Sequence, residues 1–158
     1  MIKNITVFSL IIAAIVVSAG CKKGAVDSPL ALTAAIMING NDVTNGSMSN
    51  PNQDDRMTIR AHFSDPQGNQ TIRTAFASYS HLHGMMNHMG QYTLWDDGTH
   101  GDDVPGDGWY CLEDDMVQMM SIMGHNWDQI MGSHEFEFYC LDEDGHESNH
   151  ITAHLNVQ

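Results

Sequence analysis

Residues 57–63 alternate between apolar and polar positions. Met57, Ile59, Ala61 and Phe63 fall on one side, and Thr58, Arg60 and His62 on the other. A period of two belongs to a half-buried strand, because successive Cβ atoms leave opposite faces. The alternation returns near the end of the chain, where Phe136, Phe138 and Cys140 share one face and Ile151, Ala153, Leu155 and Val157 share another. Shorter runs at 32–38, 71–78, 91–95 and 109–112 are also predicted as strands, and a polar loop rich in Asn, Ser and Gly spans 41–55. Turn chemistry separates the runs. Asn39-Gly40 ends the first, and Asp65-Pro66-Gln67-Gly68-Asn69 combines a fixed proline φ with residues that accept positive φ. Several short strands with no helix recurring between them predict an all-β antiparallel sandwich.

One stretch breaks the pattern with a helical period. Met116, Met119, Met120, Met123, Trp127, Ile130 and Met131 recur at three- and four-residue spacing, with Asp115 and Gln118 placed to cap the start. A short Met-rich helix packed on the core is predicted, since methionine fills irregular gaps. Residues 80–90 show no clean period. Both 80–90 and 114–134 are therefore read as insertions in the β domain.

The N-terminus follows other rules. Lys3 precedes an almost unbroken apolar run over residues 5–17, followed by Ser18-Ala19-Gly20 and then Cys21. The run is shorter than the ~20 residues a spanning helix needs, so a cleaved export signal is expected over 1–20. Val17-Ser18-Ala19-Gly20-Cys21 resembles the lipobox of bacterial lipoproteins, with Ser18 where the family favours leucine. The resemblance implies that Cys21 becomes an acylated N-terminus held in a lipid bilayer, with 21–30 as lipidated cysteine and tether and 31–158 as the domain. Lys22 is not the aspartate that retains some bacterial lipoproteins in the inner membrane, so the cell envelope, and the outer membrane within it, is the expected location.

Charge narrows the class further. The full chain carries −14, and without residues 1–20 five basic residues face twenty acidic ones, about −15. Such a surface repels phosphate backbones and excludes nucleic-acid binding through charge. A solvated surface and a cation-binding surface both remain open. Export also bears on Cys111 and Cys140, an even pair in a compartment where disulfides persist. A bridge closing about 30 residues would stabilise the fold by roughly 3–4 kcal/mol in the chain-entropy account. Two buried free thiols are the alternative.

The run from Leu94 to Tyr110 (LWDDGTHGDDVPGDGWY) resembles a turn of bacterial immunoglobulin-like modules, of the form L-x-DDG-x-x-GD-x-x-x-GDG-x-Y. Residues 64–69 and 141–145 resemble further turns of the same family, and the likeness covers roughly 32–158. It implies an immunoglobulin-like fold and little about activity, because such modules serve as spacers, adhesins and enzyme accessories.

Three constellations carry candidate chemistry. His81, His83, His88, Met85, Met86 and Met89 lie within nine residues, and thioether with imidazole suits copper, while imidazole alone suits copper or zinc. Asp96, Asp97, Asp102, Asp103 and Asp107 would either bind Ca²⁺ or accept backbone N–H groups in Asx-type turns, with Gly98, Gly101, Gly106 and Gly108 at positive φ. His146-Glu147-Ser148-Asn149-His150 matches the HExxH of zinc proteases, which needs a helix to bring the two histidines to one metal. Here a Gly145 turn precedes it and a strand pattern follows. On a strand the two rings would stand roughly 13 Å apart. No nucleophile elbow or glycine-rich phosphate loop is present. The expectation is a non-enzymatic binding or structural module with a protein or glycan partner. Copper or zinc handling through 81–89 is the first alternative, and a metalloprotease the second.

Overall fold

The computed structural model describes residues 27–83, 86–124 and 126–158, and the side chains of all of these except 82, 83, 86–88 and 128. The signal segment and Cys21 lie outside the described residues. Nine strands dominate the described residues: β1 (Leu30–Ile38), β2 (Asn41–Asp42), β3 (Gly46–Met48), β4 (Arg56–Ser64), β5 (Ile72–His83), β6 (Met86–Leu94), β7 (Trp109–Asp115), β8 (Gly132–Asp142) and β9 (Ile151–Val157). The one described α-helix, α1, covers Met116–Ile122.

The strands form two sheets, ordered β2-β1-β4-β7 and β3-β9-β8-β5-β6. Pairing is antiparallel except between β3 and β9, which run parallel, so the second sheet is mixed rather than purely antiparallel. Alternation decides which residues meet. Met57, Ile59, Ala61 and Phe63 of β4 are all buried, as are Phe136, Phe138 and Cys140 of β8, and both sets join one apolar core. Phe63 meets Tyr110 edge-on, with ring centroids 5.6 Å apart. Each such aliphatic or aromatic side chain taken from water contributes about 1.5–3 kcal/mol.

The turns form where turn residues stand. Asn39 and Gly40 take φ of 50° and 78° and join β1 to β2. Asp65 accepts the Gln67 N–H at 2.7 Å. At the start of β1 the register shifts between Ala31 and Thr33. There the Asn149 side chain replaces a neighbouring strand: its Oδ1 accepts the Ala31 N–H at 2.9 Å and its Nδ2 donates to the Ala31 carbonyl at 3.1 Å.

The Met-rich insertion packs as expected, in a shorter helix. Asp115 accepts the Gln118 N–H, and Met116, Met119 and Met120 face the core. The helix ends at Ile122, a 3-10 turn at Trp127–Gln129 follows, and Met131 is exposed. Residues 80–90 are not an irregular insertion. Their described part continues the β5–β6 hairpin, with Ser80 opposite Met89 and His81 opposite His88. No helix among the described residues is long and apolar enough to cross a membrane.

The expected Cys111–Cys140 bridge is corrected: both are free, buried thiols. Tyr110 points into the core, so its neighbour Cys111 leaves the opposite face of β7, in register with Arg60, whereas Cys140 lies in the core. A strand with period two separates them by the thickness of a sheet. Burial pushes each thiol up to about 12.

Candidate functional site

The aspartate-rich run between β6 and β7 folds back on the outer face of the first sheet. A Cβ on Gly101 would stand 2.6 Å from Glu113 Cβ and 3.1 Å from Thr58 Cγ2, so only glycine permits this approach. The loop thereby covers Thr58 and Cys111, which are buried although they face away from the core.

Its acids act as internal acceptors. Asp96 receives Gly106 N–H at 2.6 Å on Oδ1 and Gly108 N–H at 3.0 Å on Oδ2. Asp102 receives Gly98 N–H at 2.7 Å and Val104 N–H at 3.2 Å. Asp97 and Asp107 receive the N–H two residues ahead, from Thr99 and Trp109. The bonds of Asp97, Asp102 and Asp107 to the N–H two residues ahead are the expected Asx-type turns, and the four glycines of the loop all take positive φ. Asp103 is exposed at the rim.

Asp96, Asp102 and Asp107 also converge, with one oxygen from each within 4.8 Å of the others. Among the described residues no other group of three histidine, cysteine or acidic side chains gathers so closely. Among the described residues, these three carboxylates are the ones placed to hold a divalent cation. Burial and the negative charges of Asp102 and Asp107 raise the Asp96 carboxyl above its ordinary value, against the pull of the two glycine N–H bonds.

Beside the loop lies a groove of about 320 Å³. It is lined by the buried Ile72, Leu94 and Tyr110 together with Arg73, Thr74, Thr93, Trp95, Asp96 and Asp97. Trp95 is 44% exposed, yet its backbone is fixed by a pair of hydrogen bonds with Cys111, at 2.9 and 2.8 Å. One face of the indole stacks on His100, with centroids 5.4 Å apart and planes 24° from parallel. Sequence reasoning did not single out Trp95 or Arg73. The available signal was parity: Leu94 points inward, so the large aromatic that follows it points outward.

Of the histidines and methionines of 81–89, the two with described side chains, His81 and Met89, do not share a ligand set. His81 is buried with its Nδ1 2.9 Å from the Ser133 carbonyl, and its ring stacks on buried His134 at 4.2 Å with planes 8° apart. Met89 is 77% exposed and pairs with Ser80, on the opposite face of the hairpin. The side chains of His83, Met85, Met86 and His88 lie outside the described residues. His134 itself contacts the Tyr79 hydroxyl through Nδ1 at 2.8 Å and the Ile130 carbonyl through Nε2 at 2.6 Å. A carbonyl only accepts, so Nε2 carries the proton and Nδ1 accepts from Tyr79 in the neutral ring.

The HExxH segment is not helical: it runs through the loop before β9, and Glu147 bridges Leu141. Its histidines serve different carboxylates. His146 Nδ1 lies 2.8 Å from Asp142, while His150 reaches Glu137 and Glu147, each at 3.1 Å, and stacks on Tyr139. The helical geometry a zinc protease requires is absent from this segment.

Comparison with known proteins adds no relative: no family model matches the chain, and no curated protein matches it.

Proposed function

We propose that the chain is a lipid-anchored lipoprotein of the bacterial cell envelope, held in the outer membrane through acylated Cys21. Its body is an immunoglobulin-like β-sandwich acting as a non-enzymatic binding module. The observation that carries the anchoring is positional. The first described strand begins at Leu30, and the sequence sets residues 22–29 between it and the lipobox-like cysteine, in keeping with a short tether. Two or more acyl chains on that cysteine give a stable anchor where one gives a marginal one.

The binding role is supported by how the polar side chains are used. The gathered aspartates brace their own loop, and the HExxH histidines pair with separate acids. The groove beside Trp95 stands open. A rigid scaffold that presents loops suits recognition.

Cells expressing the chain with an alkyne palmitate analogue test the anchoring. Wild type is expected to take up the label and enter the detergent phase, and Cys21→Ser to remain unlabelled and aqueous. Equal labelling of the two, or an unlabelled wild type, overturns the anchor.

A further inference from the structure

We infer that the groove beside Trp95 is a carbohydrate-binding site that takes a pyranose unit of a neutral oligosaccharide against the indole. The inference deepens the binding-module reading by naming its ligand class, and it does not depend on acylation of Cys21.

The first support is the aromatic platform. Trp95 remains 44% exposed although its ring stacks on His100, and it lines the groove. The platform is held in advance. Trp95 is fixed to β7 at both backbone atoms, and His100 adopts φ 56°, a left-handed conformation that a residue with a Cβ seldom takes. Asp97 holds the Thr99 N–H at 2.9 Å and lies 3.5 Å from His100, which fixes the imidazole behind the indole. A flat apolar ring fixed beforehand loses little entropy on binding. A pyranose presents a C–H face that gains by leaving water for such a ring.

The second support is the mixture of polar groups around that ring. Arg73 supplies only donors, Asp97 only acceptors, and Thr74 and Thr93 supply both. The hydrogen bonds of Thr99 hold Asp97 below the usual carboxylate range, so it is ionised at neutral pH. A sugar hydroxyl donates one hydrogen bond and accepts others, and neighbouring hydroxyls need both kinds of partner close together. A quaternary ammonium group also favours an aromatic face near carboxylates. It would find no use for the Arg73 donors and would be repelled by their charge. An anionic ligand meets Asp96 and Asp97. The neutral polyol is the chemistry that uses both the donors and the acceptors.

Size agrees. A volume of about 320 Å³ lies at the lower end of the ~300–1,000 Å³ typical of small-molecule sites, room for about one sugar ring with its neighbours in solvent.

The test is a titration of the full chain in detergent with cellotetraose, maltotetraose, N-acetylchitotetraose and, as the cationic comparison, tetramethylammonium chloride. The readout is the indole N–H resonance of Trp95, assigned by its loss in Trp95→Phe, alongside calorimetry. At least one of the three sugars is expected to shift that resonance saturably below 10 mM. Trp95→Ala is expected to weaken binding at least tenfold, and Arg73→Ala at least threefold. Arg73 is exposed, so its variant tests the site without threatening the fold. No saturation by any of the three sugars overturns the inference. So does binding unchanged by both variants, or a Trp95-dependent response to tetramethylammonium alone. A chain that is acylated at Cys21 and binds no sugar loses this inference and keeps its anchor. The reverse result does the opposite.

Discussion

Replacing Asp96 by asparagine tests how the long loop is held. The carboxylate serves two backbone donors at once, Gly106 N–H at 2.6 Å and Gly108 N–H at 3.0 Å, ten and twelve residues along the chain. An asparagine has one carbonyl oxygen, so it keeps one bond and turns an NH₂ toward the other glycine N–H. A partly buried donor left without its acceptor costs about 1–3 kcal/mol. Relief of repulsion from Asp102 and Asp107 returns only ~0.5 kcal/mol in a loop this close to water. The expected net loss is about 1–2 kcal/mol, or roughly 3–8 °C in Tm for a domain of this size. Scanning calorimetry measures it, with Asp103→Asn at the exposed rim as the control expected to change little. Hydrogen exchange locates it, since Gly106 or Gly108 must lose protection. The pH dependence has a definite sign. The folded Asp96 carboxyl is raised, so between the ordinary 3.8 and its folded value the native state binds more protons than the unfolded state. Its contribution to stability therefore falls as pH rises through that window, and the fall is absent in Asp96→Asn. A variant that melts with the control and keeps both glycine amides protected refutes the reasoning.

Other expectations follow from burial and pairing. Cys111 and Cys140, pushed up to about 12, should ignore a thiol reagent at pH 8 until denaturant is added, and reductant should leave Tm unchanged. A melting point that falls by several degrees on reduction would restore the bridge. Met119→Ala should cost about 2–5 kcal/mol in denaturant unfolding, because Met119 is fully buried on the inner face of α1, whereas Met131→Ala at an exposed position should stay within about 0.5 kcal/mol. Burial pulls His150 down, yet its bonds to Glu147 and Glu137 carry it above the ordinary 6.5. Titration by NMR should show this raised value, with Glu137→Gln lowering it. The stability His150 adds is complete below 6.5 and lost as pH rises through the folded value.

The strands were legible because burial on one face writes a period of two into the chain. Met57 to Phe63, Phe136 to Cys140 and Ile151 to Val157 all fold as their alternation predicts, and the Met stripe packs inward from Met116 to Met123 with Asp115 as its cap, while Met131 is exposed. The Asx-type turns of the long loop were legible for a related reason, since each Asp97-type acid bonds two residues ahead and the glycines stand where φ is positive. Local geometry needs only local sequence.

Composition misled wherever the answer depended on facing. Cys111 and Cys140 matched as a pair by count and context, and the pleat set them on opposite sides of a sheet. His81 and Met89 are close in sequence, and the β5–β6 register put one in the core and the other in solvent. The HExxH spacing means something only on a helix, and residues 146–150 form none. The groove beside Trp95 was invisible for the complementary reason. Its walls come from β5, β6, the loop that follows and β7, and the stacked His100 arrives only when that loop closes on itself. Alternation along one strand tells which side a residue takes. Which residues from distant strands share that side is decided by pairing register and by how the sheets meet, and neither is written in any single segment.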